Sequence, residues 1–366
     1  MALEKLRKFV IVCGGSIVVL IVLLLAIRSV NQLFVKDKGE DLVRNGGISE
    51  VVELQVNDTK QFLLIEGKDL NKPVLLILHG GPGQPFPFGV SARAAFPELT
   101  ENFVAVYYDQ RGSGKSYSKD IPIETMNINQ FVEDTNVIVD YLTERFHTEK
   151  VLVVGTSWGT IVGTKYSIQH PEKVTAYIGI SQFVNFKENQ IRARDWLLNI
   201  AISNGDEKMR KDLESFGEPL YIGKPEERLM KYIGEYGGEN YGDDEVHKAD
   251  IAGWLGTSLV SPDYTLGDLY KALVSGATFS LKEAKDLQAE MNEINFISEV
   301  EELKMPVYIF QGVHDKITNY ELAKEYTEKI EAPAGKEFII LEQSAHYPNG
   351  NDLKMIFEKL KEIASN

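Results

Sequence analysis

The chain has 366 residues, 43% hydrophobic and 25% charged, an ordinary balance for a folded protein of one large domain or two modest ones. A formal net charge of −15 argues against nucleic acid as a partner, and the six histidines show no His-x-x-x-His or similar metal spacing. The single cysteine, Cys13, lies in an N-terminal apolar segment, which excludes thiol catalysis, disulfides and thiolate metal sites from the rest of the chain; neither a metal nor a cofactor is implied.

Residues 1–8 contain Lys5, Arg7 and Lys8, and Phe9 to Ile27 is uncharged and long enough to cross a bilayer core of roughly 30 Å. The basic flank precedes the apolar run, so 1–8 is expected in the cytoplasm, 9–27 in the membrane and the catalytic part outside. The alternative is secretion after signal cleavage. Against it, the apolar run is long for a signal peptide, and Ala26 is followed by Ile27 and Arg28 rather than a small-residue cleavage site. Residues 28–48 read as a polar linker ending in Asn45-Gly46-Gly47.

From residue 49 a core begins. Val51–Val56 and Gln61–Glu66 flank Asn57-Asp58, a hairpin signal. Further strands are expected at Val74–Leu78, Phe103–Tyr108, Val151–Val154, Val174–Ile180, Val307–Gln311 and Glu337–Leu341. Helices are expected at about Ala92–Leu99, Asn129–Phe146, Trp158–Gln169, Tyr320–Ile330 and Asp352–Ile363. Such alternation specifies an α/β fold, a mostly parallel eight-stranded sheet with helices on both faces. It is interrupted over 183–303, a helix-like, acid-rich stretch with Trp196 and Trp254 that reads as an inserted lid. The core is thus expected in two parts, 49–182 and 304–366.

The chemistry centres on Gly155-Thr156-Ser157-Trp158-Gly159. An apolar strand runs into this Gly-x-Ser-x-Gly and a helix follows at once, the context of a nucleophile elbow. A serine hydroxyl needs a base within hydrogen-bond reach and a carboxylate to orient that base. Asp315 and His346 follow the strands Val307–Gln311 and Glu337–Leu341, in the order Ser, acid, His that an elbow of this type requires. Loops at the carboxyl ends of parallel strands share one sheet edge, so Ser157, Asp315 and His346 are expected to converge. His314 is a weaker rival for the base, and His147, His170 and His247 fit no such order. Trp158 N–H and Gly81 N–H, the latter in the His79-Gly80-Gly81-Pro82-Gly83 loop, are the expected oxyanion donors. Asp109-Gln110-Arg111-Gly112-Ser113-Gly114-Lys115-Ser116 ends like a phosphate-binding loop but has aspartate where that motif needs its first glycine. It reads instead as a buried brace at the edge of the site.

With the 79–83, 109–116 and 155–159 motifs in place, the chain resembles the α/β-hydrolase superfamily, and within it the proline iminopeptidase family of serine peptidases, from about Val51 onward. The resemblance implies an α/β-hydrolase fold with a helical lid between the sixth and seventh strands. It also implies an acyl-enzyme mechanism through Ser157, Asp315 and His346, with Gly81 and Trp158 holding the oxyanion. Many members carry a Trp-x-x-Trp-Glu type lid motif whose glutamate holds the substrate amino group. It is absent here, leaving Glu235, Glu239 and Glu245 as candidate substrate-binding acids. The expected activity is release of N-terminal residues from short peptides. The alternatives are a carboxylesterase or lipase-like activity on small or lipid-derived esters and, more remotely, a non-catalytic binding module.

Overall fold

The computed structural model describes residues 2–242 and 248–365. Asn57, at φ 49°, supplies the left-handed turn joining β1 (Ile48–Val56) to β2 (Thr59–Gly67). The remaining strands are β3 (Val74–Leu78), β4 (Val104–Asp109), β5 (Val151–Thr156), β6 (Val174–Ile180), β7 (Val307–Gly312) and β8 (Lys336–Leu341). They form one eight-stranded sheet in the order β1-β2-β4-β3-β5-β6-β7-β8. The β1–β2 and β2–β4 pairs are antiparallel and the rest parallel. This is the α/β-hydrolase fold. The chain leaves β3 toward one edge and β5 toward the other, so the crevice between their carboxyl ends is the topological switch point where such sheets bind ligands.

Helices of eight or more residues are α1 (Ala2–Arg44), α2 (Ile128–Phe146), α3 (Trp158–Gln169), α4 (Phe186–Asn204), α5 (Glu207–Glu214), α6 (Lys224–Glu235), α7 (Ile251–Val260), α8 (Lys285–Glu293), α9 (Tyr320–Lys329) and α10 (Gly350–Ser365). The central strands are apolar on both faces because both are covered. Leu76, Leu78 and Val106 pack with Phe131, Ile161 and Tyr326 of α2, α3 and α9. Leu75, Ile77 and Tyr107 pack with Phe96, Ile356 and Leu360 on the opposite face, where α10 lies. The insertion between β6 and β7 is helical and has a small core of its own, with Leu197, Leu213, Leu229 and Ile233.

Two expectations need correction. The helix expected over Ala92–Leu99 is a 3-10 turn, Val90–Ala94, and a short helix, Leu99–Asn102. Pro97 between them lacks an N–H and disfavours helix at Phe96. The polar connector expected over 28–48 is helical as far as Arg44, continuous with the apolar segment. Ion pairs of Arg44 with Asp41 and Glu40, and of Lys36 with Glu40, support its exposed side. The helix ends where Gly46, at φ 89°, lets Gly47 N–H reach the Leu42 carbonyl, a Schellman stop.

α1 is 43 residues long, about 65 Å at helical rise. Its apolar stretch has a mean hydropathy of 2.4 with none of it buried, so it is long and apolar enough to cross a membrane. Its carboxyl-terminal part docks on the domain. Val35 is buried, and Gly39 lies so close to β1 that a Cβ there would meet Ser49 Oγ at 2.6 Å. Arg28 donates to the carbonyls of Leu259 and Tyr264, at 2.9 and 2.6 Å, and Gln32 to that of Ser261, at 2.8 Å.

The 109–116 loop is a buried brace. Arg111, fully buried, donates to Asp134 Oδ2 from Nε at 2.7 Å, to Asp134 Oδ1 from Nη2 at 2.9 Å and to Asp58 at 2.8 Å. Gln61, Asn57 and Gln130 donate to the same Asp134 carboxylate. The cluster ties the β1–β2 turn and α2 to the loop after β4. Removing one partner strands the other as an unpaired buried charge. Asp134→Ala is therefore expected to destabilise the fold by about 3–5 kcal/mol, measured by urea unfolding.

Candidate active site

The elbow is built by close packing. A Cβ on Gly159 would lie 2.0 Å from the Leu78 carbonyl oxygen, and one on Gly155 would lie 2.6 Å from that of Gly159. Only glycines let α3 start this near β3 and β5. Ser157 sits between them at φ 50°, ψ −118°, with its N–H donated to the Ile180 carbonyl at 3.0 Å. A non-glycine residue at positive φ persists only where its surroundings enforce it. Ser157 is also the N-cap of α3, yet its side chain does not cap. Its Oγ faces His346 instead.

His346 follows β8 and Asp315 follows β7. Ser157 Oγ is 3.0 Å from His346 Nε2, and His346 Nδ1 is 3.0 Å from Asp315 Oδ2. Asp315 is wholly buried and held by donors from its own loop: Ile317 and Thr318 N–H reach Oδ1 at 2.8 and 2.9 Å. Thr318 Oγ1 and Gln311 Nε2 reach Oδ2 at 2.7 and 2.9 Å. Ser181, at the end of β6, donates to the His346 carbonyl at 2.7 Å. Burial works against a charged His346, but the charge and hydrogen bond of Asp315, with a smaller contribution from Glu239, outweigh it and raise its pKa above the ordinary 6.5.

Trp158 opens α3, so its N–H is a first-turn group with no partner inside the helix. Gly80 and Gly81 both line the pocket beside Ser157. Gly80 is the nearer, since a Cβ there would touch Ser157 Cβ at 3.4 Å, while Gly81, at φ 120°, shapes the loop. A buried relay joins this loop to the elbow. Gln110 N–H donates to His79 Nε2 at 3.1 Å, Gln110 Nε2 to the His79 carbonyl at 2.9 Å, and Trp158 Nε1 to Gln110 Oε1 at 3.0 Å. Because Nε2 accepts, the His79 proton is on Nδ1, 2.6 Å from the Gly80 carbonyl. Burial lowers its pKa to about 4, so it remains neutral across the physiological range.

The pocket over Ser157 is narrow, with a free interior of about 70 Å³, and its walls include Phe86, Phe88, Ile180, Trp254, Tyr347 and Leu353. Among the described residues no carboxylate or ammonium group lines it. Of the three candidate acids, Glu239 is near: its carbonyl accepts from Tyr347 N–H at 3.3 Å, and its charge contributes to the raised pKa of both His346 and Tyr347. Glu235 is exposed on α6 and paired with Lys231 at 3.5 Å, away from the pocket. Glu245 lies outside the described residues. The rival His314 stacks on Tyr241, ring centroids 3.7 Å apart, rather than on Ser157. Among the described residues no cluster of side chains could hold a metal ion.

The pocket walls and Ser181 escaped sequence reasoning because they meet only through folding. Thr318 had a signal, a threonine three residues after an aspartate, the spacing of a side-chain-stabilised turn.

A family model described as "Serine aminopeptidase, S33" matches residues 88–211, a stretch that holds Ser157 and ends before Asp315 and His346. The probable aminopeptidase YbaC of Bacillus subtilis (strain 168) is 33% identical over 302 residues, covering 82% of this chain and 92% of its own. Among solved structures, a proline iminopeptidase-related protein from Thermus thermophilus superposes with TM-score 0.58 at 20% identity, covering 87% of this chain and 97% of its own. One described as a membrane phospholipase A, a novel bacterial virulence factor, gives 0.59 at 16% identity over 97% of this chain and 99% of its own. At these identities the two structures establish a shared fold.

The elbow depends on its two glycines. Gly159→Ala is expected to cost at least about 1–3 kcal/mol of stability, the usual range for overpacking, because the obstructing atom is backbone. Thermal and urea unfolding would measure it.

Proposed function

Because the chain belongs to the α/β-hydrolase family of aminopeptidases related to proline iminopeptidase, we propose that it removes N-terminal residues from short peptides through an acyl-enzyme on Ser157. The observation that carries this reading is the unbroken chain of 3.0 Å contacts from Ser157 Oγ through His346 to Asp315 at a pocket walled by apolar and aromatic side chains. His346 Nε2 takes the Ser157 proton as Oγ attacks the scissile carbonyl carbon. The resulting oxyanion accepts hydrogen bonds from Trp158 N–H and the Gly81 loop. His346 then gives its proton to the leaving amine, the C–N bond breaks, and water drawn through the same base hydrolyses the ester. Asp315 holds the Nδ1–H tautomer and stabilises the imidazolium.

In an aminopeptidase the substrate ammonium lies one carbon from the scissile carbonyl. Glu239 is the acid best placed to pair with it, and Phe86, Trp254 and Tyr347 suit a small apolar residue such as proline. The apolar walls also favour a second reading, an esterase for small or lipid-derived esters. An N-terminal-proline anilide tested beside p-nitrophenyl esters of increasing length separates the two. Turnover of the anilide, lost on the order of 10⁴-fold or more in Ser157→Ala, is expected. Ester turnover with no anilide turnover would end the peptidase reading, and absence of fluorophosphonate labelling would favour a binding module. We further propose that α1 is retained as a membrane anchor, with residues 1–8 cytoplasmic and the domain outside. The docked Arg28 and Gln32 support retention over signal cleavage.

The pH dependence follows from His346. The base must be neutral, so activity is lost as pH falls through its pKa. The acid limb of kcat/KM is expected above pH 6.5, and Asp315→Asn should shift that limb downward while lowering kcat.

A further inference from the structure

Helix α7, Ile251-Ala252-Gly253-Trp254-Leu255-Gly256-Thr257-Ser258-Leu259-Val260, contains no charged residue, and its one buried side chain is Trp254. Leu255 and Leu259 are exposed on it, and the segment that follows, as far as residue 281, adds exposed Leu266, Tyr270, Leu273 and Leu281. Exposed apolar side chains at this density are unusual on a surface that meets only water. Its position is specific. Arg28, the first charged residue after the apolar run of α1, is bonded to the carbonyls of Leu259 and Tyr264, which fixes this face at the level where α1 would leave a bilayer. Of the acids nearby, Asp263 pairs with Arg93 and Asp268 with Lys115 and Lys271, while Asp250, the cap of α7, and Glu283 are exposed at the two ends of the segment. Tyr270 and Lys282 remain exposed at its margin, the residue types that settle at a lipid–water boundary.

The same segment roofs the candidate site. Trp254 lines the pocket over Ser157, and the Leu273 carbonyl accepts from Gln84 Nε2 at 3.4 Å. Gly276 packs so tightly on the oxyanion-side loop that a Cβ on Gly83 would lie 2.2 Å from its carbonyl oxygen.

We propose that the face formed by α7 and residues 266–281 sits in the interfacial layer of a lipid bilayer, continuous with α1, so that the mouth of the pocket opens at the lipid boundary. This rests on α1 being a retained anchor. The test uses the full chain with Cys13→Ser, reconstituted into phosphatidylcholine–phosphatidylglycerol vesicles. An environment-sensitive fluorophore is placed at Leu266→Cys or Leu273→Cys, and in a control at Glu149→Cys, beside the opposite, amino-terminal edge of the parallel strands. At 266 and 273 the emission is expected to shift to shorter wavelength and to be quenched by brominated acyl chains, with neither change at 149. A chain that resists carbonate extraction but whose 266 and 273 probes report water would overturn the proposal and leave the anchor standing. Release of the chain by carbonate would remove the anchor, and this proposal with it. Two labelled positions and a circular-dichroism check keep a single misfolded variant from deciding the outcome.

Discussion

Everything at the candidate site depends on how closely the start of α3 can approach β3. The Leu78 carbonyl lies where a Cβ of residue 159 would be, so the chain can turn from β5 into α3 only with glycine there. That contact places Ser157 at φ 50° and leaves its hydroxyl outside the helix it caps. The serine's direction is thus set by backbone packing deep in the sheet rather than by contacts of its own side chain. It is also why the partners can come from remote segments. β7 and β8 end at the same sheet edge, and each has only to deliver one side chain into a position already fixed.

Around that point the supporting polar groups are nearly all internal. Asp315 is satisfied within its own turn before it meets His346, so its orientation does not depend on the histidine. The His79–Gln110–Trp158 relay links three loops from β3, β4 and β5 through uncharged groups, where a charge would carry a large desolvation penalty. The buried charge of Arg111, next to Gln110 in the chain, is matched by the Asp134 cluster instead of by the relay.

Part of this architecture is legible in the residues alone. The strands were legible because a doubly covered parallel strand is an uninterrupted apolar run, and Val74–Leu78 and Val174–Ile180 are found as read. The three residues that meet at the pocket were legible because their places at strand ends are a property of topology. Across Ala92–Leu99 an apolar pattern suggests one helix, but Pro97 breaks it into a 3-10 turn and a short helix. The reach of α1 to Arg44 is hidden in the sequence by its polarity, although ion pairs three and four residues apart sustain a polar helix. Least legible is the difference between Glu235 and Glu239, which look alike in sequence; the fold puts the first on the exposed face of α6 and the second in the turn beside Tyr347. Phe86, Trp254 and Tyr347 had no pattern at all, since an aromatic wall assembled from distant segments leaves no periodicity.

The unbroken passage of α1 into its docking site has a mechanical consequence. Val35, Gly39 and the Arg28 and Gln32 hydrogen bonds clamp the helix to the sheet and the insertion at several heights, so no swivel exists between the apolar end and the domain. With α1 in a bilayer, as proposed, the domain could not tumble over the surface as a tethered one does. Its azimuth would still turn with the helix, but the height and tilt of Ser157 would be constants of the fold. Substrate capture would then become a two-dimensional search by a reader held at fixed elevation.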